Sequence, residues 1–417
     1  QLSRRFGNLN GQALQLQQTP YAVEVSDNMV TVNLGVTTRL LTNREQFLLR
    51  LAITNTLTEL PEIQYADVLV NGRDEGVDLA ATIPCGVLAR YPSIGDIDTY
   101  WRQIEGQINQ SGSTSKLSKT VALYFPSADG KHLLAEVRNV VFPGYQQEIF
   151  VDSILSELAK GSAQLNTRQI MPPLNYLPEY DPPRILSPSG SAYRLIALTF
   201  YDGLDDYLAV MGGSRGMLFA SLTYTLTSFV PGIDGLMITI GDEQVTQVED
   251  MDGRTLHFDS GWMTRADFSG CVASNCRIYL PSRNGETLVP VDRAVSQEVA
   301  DEPRTLLSQL LMGPQSFDRG DETVAAFPEG ITEADILSIA VQDDTVRINF
   351  TEKFAKACET LTENQGRNLI YSVVNTLTEL RGVRRVRFYI EGEQRQFMNN
   401  DLSTAGEFLR HPGLIRS

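Results

Sequence analysis

Apolar residues recur along the chain in two alternating rhythms. Leu49, Ile53, Leu57 and Leu60 are spaced 4, 4 and 3, one face of an α-helix. The same spacing recurs at Leu218, Leu222, Leu226 and Phe229, and at Leu369, Val373, Leu377 and Leu380. A strand-like run precedes each helix: Val30 to Leu34, Leu195 to Phe200, and Val346 to Phe350. Another follows each: Ala66 to Val70, Gly235 to Thr239, and Val386 to Ile390. The pattern predicts strand, helix, strand, three times.

The repetition extends to residue identity. Asn55-Thr56-Leu57-Thr58-Glu59-Leu60 recurs unchanged as Asn375 to Leu380, with Tyr224-Thr225-Leu226-Thr227-Ser228-Phe229 between them. Without gaps, Gly72, Gly241 and Gly392 each stand 17 residues beyond the first position of their hexapeptide. The paired threonines are expected to bond their hydroxyls to helix carbonyls three or four residues back. A further half-unit occurs in two copies. Leu123-Tyr124-Phe125-Pro126-Ser127-Ala128-Asp129-Gly130 parallels Ile278 to Gly285, and Asp-Gly and Asn-Gly predict type I′ hairpin turns. Arg138 and Arg293 then fall at equivalent positions, and helices ending at Gly161 and Gly313 follow.

The fold class is therefore α+β: tandem modules, each a small mixed or antiparallel sheet with two helices on one face. The expected domains are 1–112 (incomplete or divergent), 113–265 and 266–417. Either the first half of the first module was trimmed upstream, or Leu2 to Gln18 and the segment after Gly72, with a helix over Asp96 to Gln110, would complete it. Ser111 to Ser115 reads as a flexible linker and Met171 to Gly190 as a long proline-rich loop. The tail around Asn399-Asn400-Asp401 has little periodicity.

These modules resemble the GerMN (Germane, sporulation and spore germination) domain. The third copy carries Ile278-Tyr279-Leu280, Asn284-Gly285, Arg293, Met312-Gly313-Pro314, Phe327-Pro328-Glu329-Gly330 and Val346 to Phe350 in the family's order. The resemblance covers most of 117–397, with 20–75 as a half-unit. The chain departs from the usual tandem pair by its extra first copy, and Gly161 is followed by Ser162 where the family has proline. The resemblance implies an extracytoplasmic, membrane-associated protein of a spore-forming bacterium, commonly a lipoprotein, docking to envelope or sporulation-complex proteins. It carries over no catalytic residue. The chain opens at Gln1 without Met or signal peptide, so we expect a processed or trimmed product whose lipid anchor is absent from these residues.

Charge narrows the partners. There are 51 acidic against 35 basic side chains, a net charge of −16, which repels phosphate backbones and argues against nucleic acid. Arg381, Arg384, Arg385 and Arg387 form a basic cluster on this acidic chain. They read as a solvated strand edge that discourages strand pairing, or as a docking surface for an acidic partner or phospholipid head group.

Enzyme chemistry finds little support. Gly212-Gly213-Ser214-Arg215-Gly216 fits a nucleophile elbow, but an Asp-rich loop separates it from the preceding strand. Ser214 as a helix N-cap explains it better. Asp250-Met251-Asp252-Gly253 is a calcium-loop fragment with Arg254 at the fifth position, so a hairpin turn is expected. Three His and four Cys without C-x-x-C argue against a metal site, and no cofactor is expected. Cys271 and Cys276 are read equally well as a disulfide or as two free thiols, with Cys85 and Cys358 alone. The expected role is a non-enzymatic envelope scaffold. The alternative is a module binding a small cell-wall-derived ligand through Tyr176, Tyr180 and Trp262.

Overall fold

The computed structural model describes residues 21–26, 28–35, 43–74, 86–91, 117–144, 146–179, 181–230, 232–318, 323–398 and 403–416. The expectations for 2–18, 96–110, 111–115, 399–401, Cys85 and Tyr180 lie outside the described residues. Two compact units are present, 1–273 and 274–417.

The first copy is a four-stranded sheet, β1 (Tyr21–Ser26), β2 (Met29–Leu34), β3 (Tyr65–Val70) and β4 (Leu88–Ala89), with α1 (Asn43–Leu57) between β2 and β3. Its pairings run antiparallel, parallel, antiparallel. Val30, Val32 and Leu34 point to one face and meet Leu49 and Ile53 of α1.

The second copy opens with the hairpin β5 (Leu117–Pro126) and β6 (Leu133–Phe142), followed by α2 (Gln147–Ala159). Then come β7 (Arg184–Leu186), β8 (Leu195–Phe200), α3 (Leu204–Val210), α4 (Arg215–Phe229), β9 (Gly235–Ile240) and β10 (Glu243–Gln244). A small hairpin, β11 (Gln247–Glu249) with β12 (Thr255–His257), precedes β13 (Met263–Thr264), which pairs with β9. The proline-rich loop holds β7, a short edge strand, the place where a sheet tolerates neighbouring prolines.

The third copy repeats this order. Hairpin β14 (Ala273–Pro281) and β15 (Leu288–Ser296) leads to α5 (Pro303–Leu311). The sheet follows: β16 (Ile336–Gln342), β17 (Thr345–Phe350), α6 (Glu352–Cys358), α7 (Glu363–Leu377), β18 (Arg385–Ile390) and β19 (Glu407–Leu409). Its order and directions match the first sheet. All three predicted helical stripes turn inward, with Leu218, Leu222, Leu226 and Phe229 fully buried.

The glycine alignment needs one correction. Asn71-Gly72 and Glu391-Gly392 are left-handed turns, at φ 51° and 76°, and 49° and 86°. Gly241 occupies the first of these turn positions, not the second. Its N–H bonds Phe200 O, as Asn71 N–H bonds Leu34 O and Glu391 N–H bonds Phe350 O. The second copy therefore has one residue more between hexapeptide and strand, and the unit is not ungapped. The Asp-Gly and Asn-Gly turns differ from expectation as well. β5 and β6 end at Pro126↔Leu133, so the loop is six residues, with a 127–130 turn and only Gly130 left-handed (φ 76°).

Arg138 and Arg293 have the same structural role. Arg138 Nη1 donates to Glu157 O (3.1 Å) and Nη2 to Gly161 O. Arg293 donates to Gln309 O and Gly313 O, both at 2.6 Å. Each guanidinium bonds carbonyls at the C-terminal turn of α2 or α5 and faces the negative end of the helix dipole.

Candidate docking site

Side chains of β2 and β3 alternate between faces, so the residues not meeting α1 form an outer face. Met29, Thr31, Asp67 and Leu69 lie there, and all are buried. The second copy buries them. Ala135 N–H donates to Ser26 Oγ (3.1 Å), Val87 N–H to Thr120 O (3.0 Å), and the Thr31 and Tyr124 hydroxyls stand 3.4 Å apart.

Arg265 is the centre of this junction. A reciprocal capping box between Thr264 and Asp267 fixes the short 3₁₀ turn Arg265–Phe268 that presents it. Nη2 donates to Glu24 Oε2 (2.8 Å) and to the Tyr124 hydroxyl (3.2 Å), and Nη1 to Ser228 Oγ (2.6 Å). The guanidinium also lies 4.0 Å from the Tyr224 ring centroid and 5.4 Å from that of Tyr124. Burial opposes its charge, but Tyr124, Glu24 and Tyr224 overcome this and hold its pKa above the usual value.

Asp67 lies in the same layer with neither carboxylate oxygen hydrogen-bonded. Burial, and then nearby Asp74, push its pKa up to about 7 against the pull of Arg265 and Arg50. Arg50 and Asp74 make a second buried pair at 2.6 Å. The other Asp74 oxygen accepts from Gly86 N–H (2.6 Å), and Asp74 N–H donates to Thr227 O (3.2 Å). Arg73 to Asp234 (2.8 Å) adds a third polar link. Sequence reasoning missed this network, although Thr264-x-x-Asp267 is a readable capping signal.

The paired threonines divide their work. Thr58, Thr227 and Thr378 bond carbonyls four residues back, as expected. Thr225 and Thr376 instead accept the N–H of Tyr124 and Tyr279, at 2.9 and 3.0 Å, tying helix to hairpin.

The four arginines fall in two places. Arg385 and Arg387 project from the outer face of β18, while Arg381 and Arg384 are exposed in the turn before it. The strand-edge reading is incorrect: β18 is interior, parallel to β17 and antiparallel to β19. Arg385 pairs with Glu407 (3.4 Å) and Asp344 (3.7 Å), and Arg387 pairs with Glu407. The outer face of this sheet is open, with Ala340, Arg347, Arg385 and Leu409 exposed.

The other candidates resolve simply. Ser214 is the N-cap of α4, accepting Met217 N–H at 3.3 Å. Asp250 Oδ1 accepts the N–H groups of Asp252 and Arg254 inside the β11–β12 hairpin. Cys271, Cys276 and Cys358 are free thiols whose pKa values burial pushes up to about 12. Tyr176 packs on Tyr207 and Trp262 on Tyr193, as two ring pairs. Among the described residues no helix is long and apolar enough to cross a membrane, and no group of three His, Cys, Asp or Glu is arranged to hold a metal.

Residues 277–396 match the model of the family described as Germane, sporulation and spore germination. No curated protein sequence matches. Among solved structures, the tandem GerMN domains of the sporulation protein GerM from Bacillus subtilis are similar at 18% identity and TM-score 0.27, covering 70% of this chain and 98% of that one. A putative lipoprotein from Clostridium perfringens is similar at 14% identity and TM-score 0.23, covering 34% and 89%. Residues 277–396 of this chain are therefore a Germane domain.

Proposed function

We propose that this chain is a non-enzymatic, extracytoplasmic assembly protein of the bacterial cell envelope that acts in sporulation or spore germination by docking its modules to protein partners. The observation that carries the reading is the junction within residues 1–273. There one module's sheet face is buried against another module's hairpin through Arg265, Glu24 and Tyr124. The same kind of face is open in the third copy and carries Arg385 and Arg387, with Arg381 and Arg384 beside it. In this reading those arginines meet an acidic envelope or sporulation-complex protein, and the chain is membrane-associated as a lipoprotein.

The test is made in the native spore-former. One strain lacks the gene, and another carries all four arginines changed to Glu at equal protein abundance. Heat-resistant spore counts or germination rates should fall in both. Normal sporulation and germination in the deletion strain would remove the role. Full complementation by the charge-reversed chain would remove the arginine surface.

A further inference from the structure

The third sheet, in the order β16-β17-β18-β19, has two edge strands, of which β16 is the longer, seven residues against three. Its sequence, Ile336-Leu337-Ser338-Ile339-Ala340-Val341-Gln342, has no charge and no proline. Edge strands β1 and β7 are blunted. β1 carries Glu24, and β7 is only three residues, begins with Arg184, and has Pro182, Pro183 and Pro188 around it. A seven-residue edge without such protection is a template for strand addition. Leu337 and Val341 are 46% and 47% exposed on it.

The register says which backbone groups are free. β16 and β17 are joined by the two residues Asp343-Asp344, making Gln342↔Thr345 the closing, hydrogen-bonded pair. By alternation Ala340↔Arg347 and Ser338↔Asn349 are also hydrogen-bonded. Ile339 and Val341 therefore direct their N–H and C=O groups away from β17, over the open edge. The one side-chain bond to the strand's backbone among the described residues is at its start, where Arg304 Nη2 donates to Ile336 O at 3.4 Å.

We propose that β16 pairs antiparallel with β16 of a second copy of this chain, about a two-fold axis through Ala340. That register places Ile339 opposite the partner's Val341 and Val341 opposite the partner's Ile339. Each of these two pairs exchanges two main-chain hydrogen bonds, four in all. The apolar Ile339 and Val341 side chains then cover one another, neutral Ser338 faces Gln342, and Ala340 faces Ala340. No like charges oppose one another anywhere in the pairing, which is what selects a second copy as the occupant. Two four-stranded sheets would merge into one of eight strands. Since each copy carries a net charge of −16, screening their repulsion should tighten the dimer as salt rises. An acidic partner held by the arginines would respond in the opposite sense, so the two surfaces are separable.

Sedimentation velocity of the full chain over a wide concentration range tests the proposal. Wild type and Val341→Ile should form a reversible dimer, stronger in higher salt. Val341→Lys and Val341→Pro should stay monomeric with unchanged circular dichroism, since the Val341 N–H faces the edge and not β17. Ala340→Cys should cross-link into a covalent dimer under mild oxidation, because non-hydrogen-bonded partners sit about 4.5 Å apart at Cα, within disulfide reach. Gln342→Cys and wild type should not. A wild-type chain that is monomeric throughout, a Val341→Lys dimer as strong as wild type, or equal cross-linking of the two cysteine variants would each overturn it.

Discussion

Replacing Asp67 by Asn should stabilise the 1–273 unit at neutral and alkaline pH. In the folded chain burial lifts the Asp67 pKa from 3.8 to about 7. The folded state therefore keeps its proton while the unfolded chain has already released one. Stability must fall as pH rises between these values, by about 1.4 kcal/mol per pH unit. About three units separate them, so the ionised carboxylate costs about 4 kcal/mol above pH 7 and nothing below about pH 4. Asn keeps the shape and removes the charge. Its amide must still find hydrogen-bond partners in a layer that gives the carboxylate none, so the net gain should be about 2 to 3 kcal/mol. Trp262 belongs to the 1–273 unit and the sequence 274–417 contains no tryptophan, so tryptophan fluorescence during urea unfolding does not report on the second unit. Wild type and Asp67→Asn should converge toward about pH 4 and separate as pH rises to about 7. If the variant is no more stable than wild type at alkaline pH, or wild-type stability is flat across this window, the account of Asp67 is wrong.

Gly216→Ala, in the first turn of α4, would gain up to about 1 kcal/mol in an exposed helix. Here the added Cβ would lie 2.2 Å from Glu249 O and 3.1 Å from Asp250 Cα, so the sign reverses, with a loss of about 1 to 3 kcal/mol in tryptophan-monitored unfolding. Arg293→Met removes the guanidinium that bonds buried Asp318 and the carbonyls of Gln309 and Gly313. It should destabilise the 274–417 unit by about 3 to 5 kcal/mol by calorimetry. Arg138→Met should cost less, because Arg138 is the more exposed of the two (18% against 2%). A thiol-specific chromogenic reagent near neutral pH should leave Cys271, Cys276 and Cys358 unlabelled until urea is added, because thiols with pKa near 12 hold almost no thiolate there.

The sequence displays best what depends on neighbouring residues. Leu369, Val373 and Leu377 announce a helix face because burying that face is what makes the helix stable. The short helices α3 and α6 are harder to read. Each has only seven residues, too few for a stripe, and buries Leu204 and Leu208, or Phe354, Ala355 and Cys358. The glycine slip at Gly241 was hidden because counting positions cannot distinguish the two residues of a left-handed turn. The arginine cluster was misplaced for a different reason. Alternation in Arg385-Val386-Arg387-Phe388 shows a two-faced strand but not whether both edges are paired, and β19 covers one edge only after 16 intervening residues. The Arg265 network was beyond local reading altogether, since its partner Glu24 is 241 positions away.

The register also shows where duplicated modules diverged. β2 pairs with β3 as β17 pairs with β18, which makes Thr31 equivalent to Arg347 and Asp67 to Arg387. Glu24 lies across from Thr31 as Ala340 lies across from Arg347, making that pair equivalent too. On the inner face the corresponding positions stay apolar: Val30, Val32 and Leu34 against Val346, Ile348 and Phe350. The core has thus been kept while the outer face has changed sign. An acidic face suits Arg265. A third sheet set in that place would put Arg347 and Arg387 against the same buried guanidinium, and like charges brought together away from water are strongly unfavourable. The third sheet therefore cannot take the first sheet's seat, and its own face must be satisfied by something other than a Tyr124–Arg265 surface. Selection for stability alone would not require this inversion, because an exposed face tolerates either sign. The outward positions are accordingly the ones through which the copies are told apart.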